Sequence, residues 1–326
     1  GPWRFADLIV DTRNERIIAV CEKHGESHEP ENYLASISLC NDNTDIEPIA
    51  WGADFYAYPR LSPDQKELCW IQWDHPHMPW DNTQLYLASN VSETLADVKV
   101  IAGENLDEAI FQPQWSPGGE LYFVSDCNNW WNICRFIQGN RETVIEASSE
   151  FATPLWQLGM STYCFLNAQT IGCIWTNDGV WHTGTIDLFN GHLVPFDCNY
   201  TSMSSVCSYQ GALCVVAGAA TIPGELVSID QLSGSTVIYA PASLSVDTKE
   251  LSQPQSILFS SAENAQVHAF FYPPTSAHYC AEESELPLVI AMCHGGPTGA
   301  TDSGLNLKVQ YWTNRGFAVV DINYRG

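Results

Sequence analysis

The sequence is poor in positive charge. Its 326 residues carry 13 Lys and Arg against 38 Asp and Glu, a formal net charge of −25. A field of that sign repels phosphate backbones, which argues against nucleic acid as a partner. The acidic residues are scattered rather than massed in a tail, the pattern of a solubilising surface. Long apolar runs are missing too. Stretches such as Leu286 to Cys293 fall far short of the roughly 20 residues a bilayer helix requires, so no membrane partner is expected. The chain opens Gly1-Pro2-Trp3-Arg4, without an initiator Met or a basic-then-apolar leader, as a processed or truncated chain would. None of the 12 cysteines forms a Cys-x-x-Cys pair, and His24, His28, His182, His192 and His268 show no metal-ligand spacing. No metal or organic cofactor is expected. Several cysteines (Cys69, Cys164, Cys173, Cys214, Cys293) lie inside apolar, strand-like runs, where a free thiol acts as a small hydrophobe. That usage points to a reducing compartment and a cytoplasmic location.

Aromatic residues are plentiful, with 12 Trp, 13 Phe and 13 Tyr in a chain that is 45% hydrophobic, enough for a large core. They recur with a repeat. Tyr58-Pro59-Arg60-Leu61-Ser62-Pro63-Asp64 leads into Leu68-Cys69-Trp70-Ile71, and Gln112-Pro113-Gln114-Trp115-Ser116-Pro117-Gly118 leads into Leu121-Tyr122-Phe123-Val124. Each Ser-Pro step reads as a tight turn, because Pro presets φ and Asp or Gly suits the next turn position. Weaker copies start near Asp7, Thr153 and Met203. About five units of four short strands, about 40 to 55 residues apart and without long helical periodicity, predict propeller blades. A blade or two preceding residue 1 would complete a ring. Trp115, Trp130, Trp131, Trp156, Trp175 and Trp181 are expected to pack the blades.

The pattern changes after residue 250. Ser256 to Ser260 and Val267 to Tyr272 predict a hairpin around Ala262-Glu263-Asn264. The near-continuous run Leu286 to Cys293 predicts a strand buried on both faces, as in an α/β sheet. It ends in His294-Gly295-Gly296-Pro297. Leu305 to Gly316, apolar at Leu307, Tyr311 and Trp312, predicts a helix closed by Gly316. Phe317 to Ile322 predicts the next buried strand, completing a βαβ unit before Asn323-Tyr324-Arg325-Gly326.

The stretch Phe55 to Asp81, the segment Ser125 to Asn132, the His294 to Pro297 loop and the Asp321 to Gly326 run together resemble the prolyl oligopeptidase family of serine peptidases, nearest its acylaminoacyl-peptidase and dipeptidyl-peptidase-like branch. The resemblance covers essentially the whole chain in order. It implies a mainly β fold: a partial β-propeller over residues 1–250, followed by the N-terminal part of an α/β-hydrolase domain over residues 251–326. It also implies cleavage of short peptides, the propeller capping a Ser-Asp-His site, with a homo-oligomer possible.

In that fold the nucleophile elbow, Gly-x-Ser-x-Gly, follows the first βαβ unit. None follows Gly296 here, so the catalytic Ser, Asp and His are expected beyond Gly326 and this chain is expected to be inactive. The oxyanion-hole residues are expected at Gly296, through its backbone N–H, and at His294 as support for the loop. The alternative is that Gly295-Gly296-Pro297 is only a tight turn. Tyr324-Arg325 would sit at the active-site edge, or pair structurally. The loop from Trp73 to Asp81 would line a channel or simply pack blades. Two other functions stay open: an esterase on the same plan, and a non-catalytic protein-binding propeller.

Overall fold

The computed structural model describes the chain except residues 26–28, 41–44, 90, 92–93, 106, 231–233, 243, 263, 281, 283, 297 and 325–326. Five successive antiparallel sheets of four strands occupy the region read as blades. The first holds β1 (Trp3–Asp11), β2 (Arg16–Lys23), β3 (Glu31–Ser38) and β4 (Ile46–Trp51). The second holds β5 (Phe55–Leu61), β6 (Glu67–Trp73), β7 (Gln84–Ser89) and β8 (Ala96–Ala102). The third holds β9 (Ile110–Trp115), β10 (Leu121–Ser125), β11 (Asn132–Ile137) and β12 (Asn140–Thr143). The fourth holds β13 (Tyr163–Asn167), β14 (Thr170–Asn177), β15 (Val180–Asp187) and β16 (Leu193–Pro195). The fifth holds β17 (Ser202–Tyr209), β18 (Ala212–Ala219), β19 (Ile222–Asp230) and β20 (Gly234–Tyr239). In every sheet the strands lie in sequence order, the meander of a propeller blade.

The repeated Ser-Pro turn has a defined job. Ser62 Oγ accepts from the N–H groups of Lys66 and Glu67 at 3.2 and 3.0 Å, and Ser116 Oγ accepts from Glu120 N–H at 3.1 Å. Both serines are buried, and each hydroxyl satisfies backbone donors of its own turn. A second device recurs without a sequence motif. The first strands of sheets one, two, three and five each hold one extra residue against their partner, a β-bulge. At the bulge sit Asp7, Tyr58, Gln112 and Ser205, with φ of 49°, 51°, 47° and 59°.

The chain forms two compact units. The first comprises Gly1–Ser161 with the turn tips Asn167–Thr170 and Asp187–His192; the second comprises Thr162–Leu166, Ile171–Ile186 and Leu193–Gly326. The first unit contains a core of Ile18, Leu34, Tyr56, Leu68, Trp70 and Ala88, contributed by sheets one and two. The second contains a core of Ile174, Met203, Leu213, Val215, Val227 and Ile229. Each Leu, Ile, Val and Met among these contributes about 1.5–3 kcal/mol by leaving water. The tryptophans depart from expectation: Trp175 is buried, but Trp130 and Trp156 are 37% and 51% exposed. Trp156 instead pairs with Trp80, ring centroids 4.3 Å apart.

After the fifth sheet the architecture changes as the sequence indicates. β21 (Gln255–Ser260) and β22 (Gln266–Tyr272) form the expected hairpin. β23 (Val289–Cys293), helix α1 (Leu307–Thr313) and β24 (Ala318–Asn323) follow, in the sheet order β21-β22-β24-β23. β24 pairs antiparallel with β22 and parallel with β23, from Val289↔Ala318 to Cys293↔Ile322. A parallel pair joined through a helix is the βαβ unit.

Two local expectations are corrected. β23 is not buried on both faces: Leu286, Leu288 and Val289 are 90%, 73% and 58% exposed, and Cys293 is exposed as well. The cause is position, because β23 is an edge strand with β24 on one side only. The buried residues of α1 are Val309, Gln310 and Thr313, while Leu307 and Tyr311 face outward. Val309 packs with Phe270, Tyr272 and Val319, while Trp312 is only partly covered there.

Candidate active-site edge

β23 delivers the chain to the loop through its five parallel pairings with β24. At its C-terminal end the backbone turns sharply, and Gly296 takes φ 72°, a left-handed conformation that glycine adopts at no steric cost. Gly299 closes beneath. A Cβ there would stand 2.5 Å from Gly295 O and 3.0 Å from His294 Nδ1.

The His294 ring lies flat on Tyr324, centroids 4.0 Å apart and planes 4° from parallel. Tyr324 is the residue just past β24, so the two strand ends meet here. Its hydroxyl lies 3.1 Å from the carbonyl oxygen of His294 and 3.0 Å from that of Gly296, able to donate to either and bracing the turn from outside. Neither nitrogen of His294 has a partner among the described residues, and both are shielded from solvent.

The floor beside the loop is polar. Asp321, buried in β24, accepts from Thr301 Oγ1 at 2.5 Å. Ser202 Oγ donates to Asp302 Oδ2 at 3.0 Å, and Ser303 Oγ donates to Thr201 O at 3.0 Å. Burial pushes the Tyr272 hydroxyl pKa up, helped by the charges of Asp321 and Asp302. A cavity of about 610 Å³ opens here, lined by Ser202, Gly218 and Ile222 of the fifth sheet and by His294, Asp302 and Asp321, a size within the ordinary range of small-ligand sites.

Helix α1 is held from behind by buried polar contacts. Gln310 accepts from Ser252 N–H at 2.6 Å and donates to Ser252 O at 3.0 Å, and Asn314 bonds Glu250. At its start Asn306 caps the N–H groups of Lys308 and Val309.

Of the residues singled out by sequence, His294 and Gly296 lie together at the end of β23. Pro297 and Arg325 lie outside the described residues, as do His28 and Glu263. Tyr324 as the brace was missed, although its motif was noted; a hydroxyl reaching back 28 and 30 residues leaves no local pattern. The Trp73 to Asp81 loop belongs to the first unit and is tied to other parts of it as well as to itself. Trp73 stacks on Phe55, and Met78 N–H donates to Asp81 Oδ2 at 3.2 Å.

Blades running into a mixed sheet whose parallel strand ends in a His-Gly-Gly loop define a propeller-coupled α/β chain. Among solved structures this chain is similar to a puromycin hydrolase complexed with PGG, at 31% identity and a TM-score of 0.91, covering 99% of this chain and 50% of that one. It is similar to a puromycin-hydrolyzing peptidase of Mycobacterium tuberculosis at 28% identity and TM-score 0.91, covering 99% and 51%. It shares the fold of prolyl oligopeptidase B from Galerina marginata at TM-score 0.77 and 11% identity, covering 100% and 46%. No family model and no curated protein matches the sequence. The chain spans about half the length of these relatives.

Proposed function

We propose that residues 1–250 form the propeller and residues 251–326 the leading part of an α/β-hydrolase domain of a cytoplasmic serine peptidase, an exopeptidase or oligopeptidase acting on short peptides. The observation that carries this reading is the His294–Gly296 loop at the C-terminal end of a parallel strand, in a chain 31% identical to a puromycin hydrolase. The twelve cysteines, all free thiols in the structure, support the cytoplasmic assignment.

Peptide cleavage by this class proceeds through attack of a serine on the scissile carbonyl, forming an acyl-enzyme. The carbonyl oxygen becomes negative in the transition state and needs donors already aimed at it. The Gly296 N–H has no acceptor among the described residues, which suits that role. Removal of one such donor costs about 3 kcal/mol of transition-state stabilisation in comparable enzymes. His294 and Tyr324 hold the turn, and the propeller admits short peptides while excluding folded ones. The nucleophile, its orienting acid and its base lie outside residues 1–326 in this reading.

Two measurements test it. A serine-directed fluorophosphonate probe should leave the 326-residue chain unlabelled, and labelling would refute the assignment of the nucleophile elsewhere. The parent protein should hydrolyse short peptide amides; hydrolysis of simple esters alone would make it an esterase instead.

A further inference from the structure

The first compact unit contains a cavity of about 760 Å³ that the peptidase reading does not use. Its wall is aromatic: Trp3 of β1, Tyr33 of β3, Trp51 at the end of β4, Phe55 of β5 and His75 from the loop after β6. Trp51 is 72% exposed, an expensive placement for an indole with nothing upon it.

The frame behind these rings is fixed by hydrogen bonds. Asp54 N–H donates to Asp74 Oδ1 at 2.7 Å, His75 N–H donates to Asp54 Oδ2 at 2.9 Å, and Asn32 Nδ2 donates to Asp54 O at 2.5 Å. Ala53 N–H donates to Tyr56 Oη at 2.9 Å. Phe55 is stacked on Trp73 and meets His75 edge-on, ring centroids 5.2 and 5.0 Å away. Three separate segments are thereby locked around one opening, so the rings are placed before any ligand arrives. Asn32 gives its amide nitrogen to the Asp54 carbonyl, and its Oδ1 has no donor among the described residues.

The charge around the opening is negative. Glu29, Glu31 and Asp54 line it against a single Lys23, which sits 3.6 Å from Glu31. The faces of Trp and Tyr rings attract cations, and carboxylates at the rim add to that field.

The geometry points to a binding site for an organic cation, an ammonium group carried on an apolar or aromatic body, seated between Trp51 and the Trp3, Tyr33 and Phe55 rings. The site lies entirely in the first unit and does not depend on the peptidase reading.

The test uses the 326-residue chain and benzyltrimethylammonium, with benzyl alcohol as the uncharged comparison. Tryptophan fluorescence reports affinity, and NMR of the indole N–H groups reports position. The cation is expected to bind at least about tenfold tighter than the alcohol, to weaken as salt is added, and to shift the Trp3 and Trp51 indole signals while leaving Trp175 in place. Trp51→Leu should weaken the cation about tenfold. Equal binding of the alcohol would reduce the cavity to an apolar crevice and overturn the proposal. So would an absence of shifts at Trp3 and Trp51, a readout that needs no variant to fold.

Discussion

The imidazole of His294 and the phenol of Tyr324 lie face to face at 4.0 Å, and the same phenol hydroxyl reaches the carbonyl oxygens on either side of Gly295. One side chain thus fixes both the ring at the start of the turn and the peptide planes within it. The peptide that carries the Gly296 N–H lies between the two peptides the hydroxyl reaches.

Tyr324→Phe keeps the stacked ring and removes the hydroxyl. Loss of its bonding to the turn carbonyls at a partly exposed site should cost about 1 kcal/mol. Hydrogen exchange at Gly295 and Gly296 should accelerate, with little change at Val319 in the adjacent strand. An unchanged exchange rate at the turn would show that the hydroxyl does not hold it.

Gln310→Leu should destabilise the second unit by about 3 kcal/mol. The substitution preserves bulk but strands the N–H and C=O of Ser252, both bonded, among the described residues, through Gln310 in a buried position. Urea unfolding should show a lower midpoint with an unchanged slope.

Acid should act through Asp11. Burial pushes its carboxyl upward, but the bonds from Asn14 and Arg16 outweigh burial and hold the pKa below the ordinary 3.8. A carboxylate depressed on folding stabilises fully above its unfolded value, and that contribution disappears as pH falls through the folded one. The chain should therefore lose stability below about pH 4, and Asp11→Asn should flatten that acid limb. At neutral pH the same variant should cost about 3–5 kcal/mol, because Arg16 stays buried without its counterion.

Alkylation should select Cys127. A hydrogen bond from the Cys134 thiol, aided by Ser125 and the nearby Arg141 charge, brings its pKa down to about 6, whereas the bond to Glu15 pushes exposed Cys40 upward and burial does so for Cys207. Iodoacetamide at neutral pH should modify Cys127 ahead of those two, read by peptide mass mapping.

The blades were legible because their signals are local. Ser62-Pro63 and Ser116-Pro117 each announce a turn from adjacent residues, and a short apolar run follows each, Leu68 to Ile71 and Leu121 to Val124. The mixed sheet was legible in kind, since His294-Gly295-Gly296 follows an apolar run and precedes a helix. Burial was harder to read. The run through Val289 looks fully internal, yet its exposure depends on which strands flank it, and no residue in the run encodes that. Likewise the apolar letters of α1 at Leu307 and Tyr311 outvote Gln310, although the glutamine is the buried one, because its partners lie 58 residues away at Ser252. The cavity of the first unit shared this fate: its rings come from four strands and a loop.

Asp7, Tyr58, Gln112 and Ser205 share a positive φ at the bulge and differ in side-chain chemistry. An acid, a phenol, an amide and an alcohol all occupy it, whereas β-branched valine or isoleucine would be penalised in that left-handed twist. Blades copied from a common ancestor can therefore drift in composition until their kinship survives only as shape, and an aligner that weighs letters will overlook a repeat that a ruler for torsions would find at once.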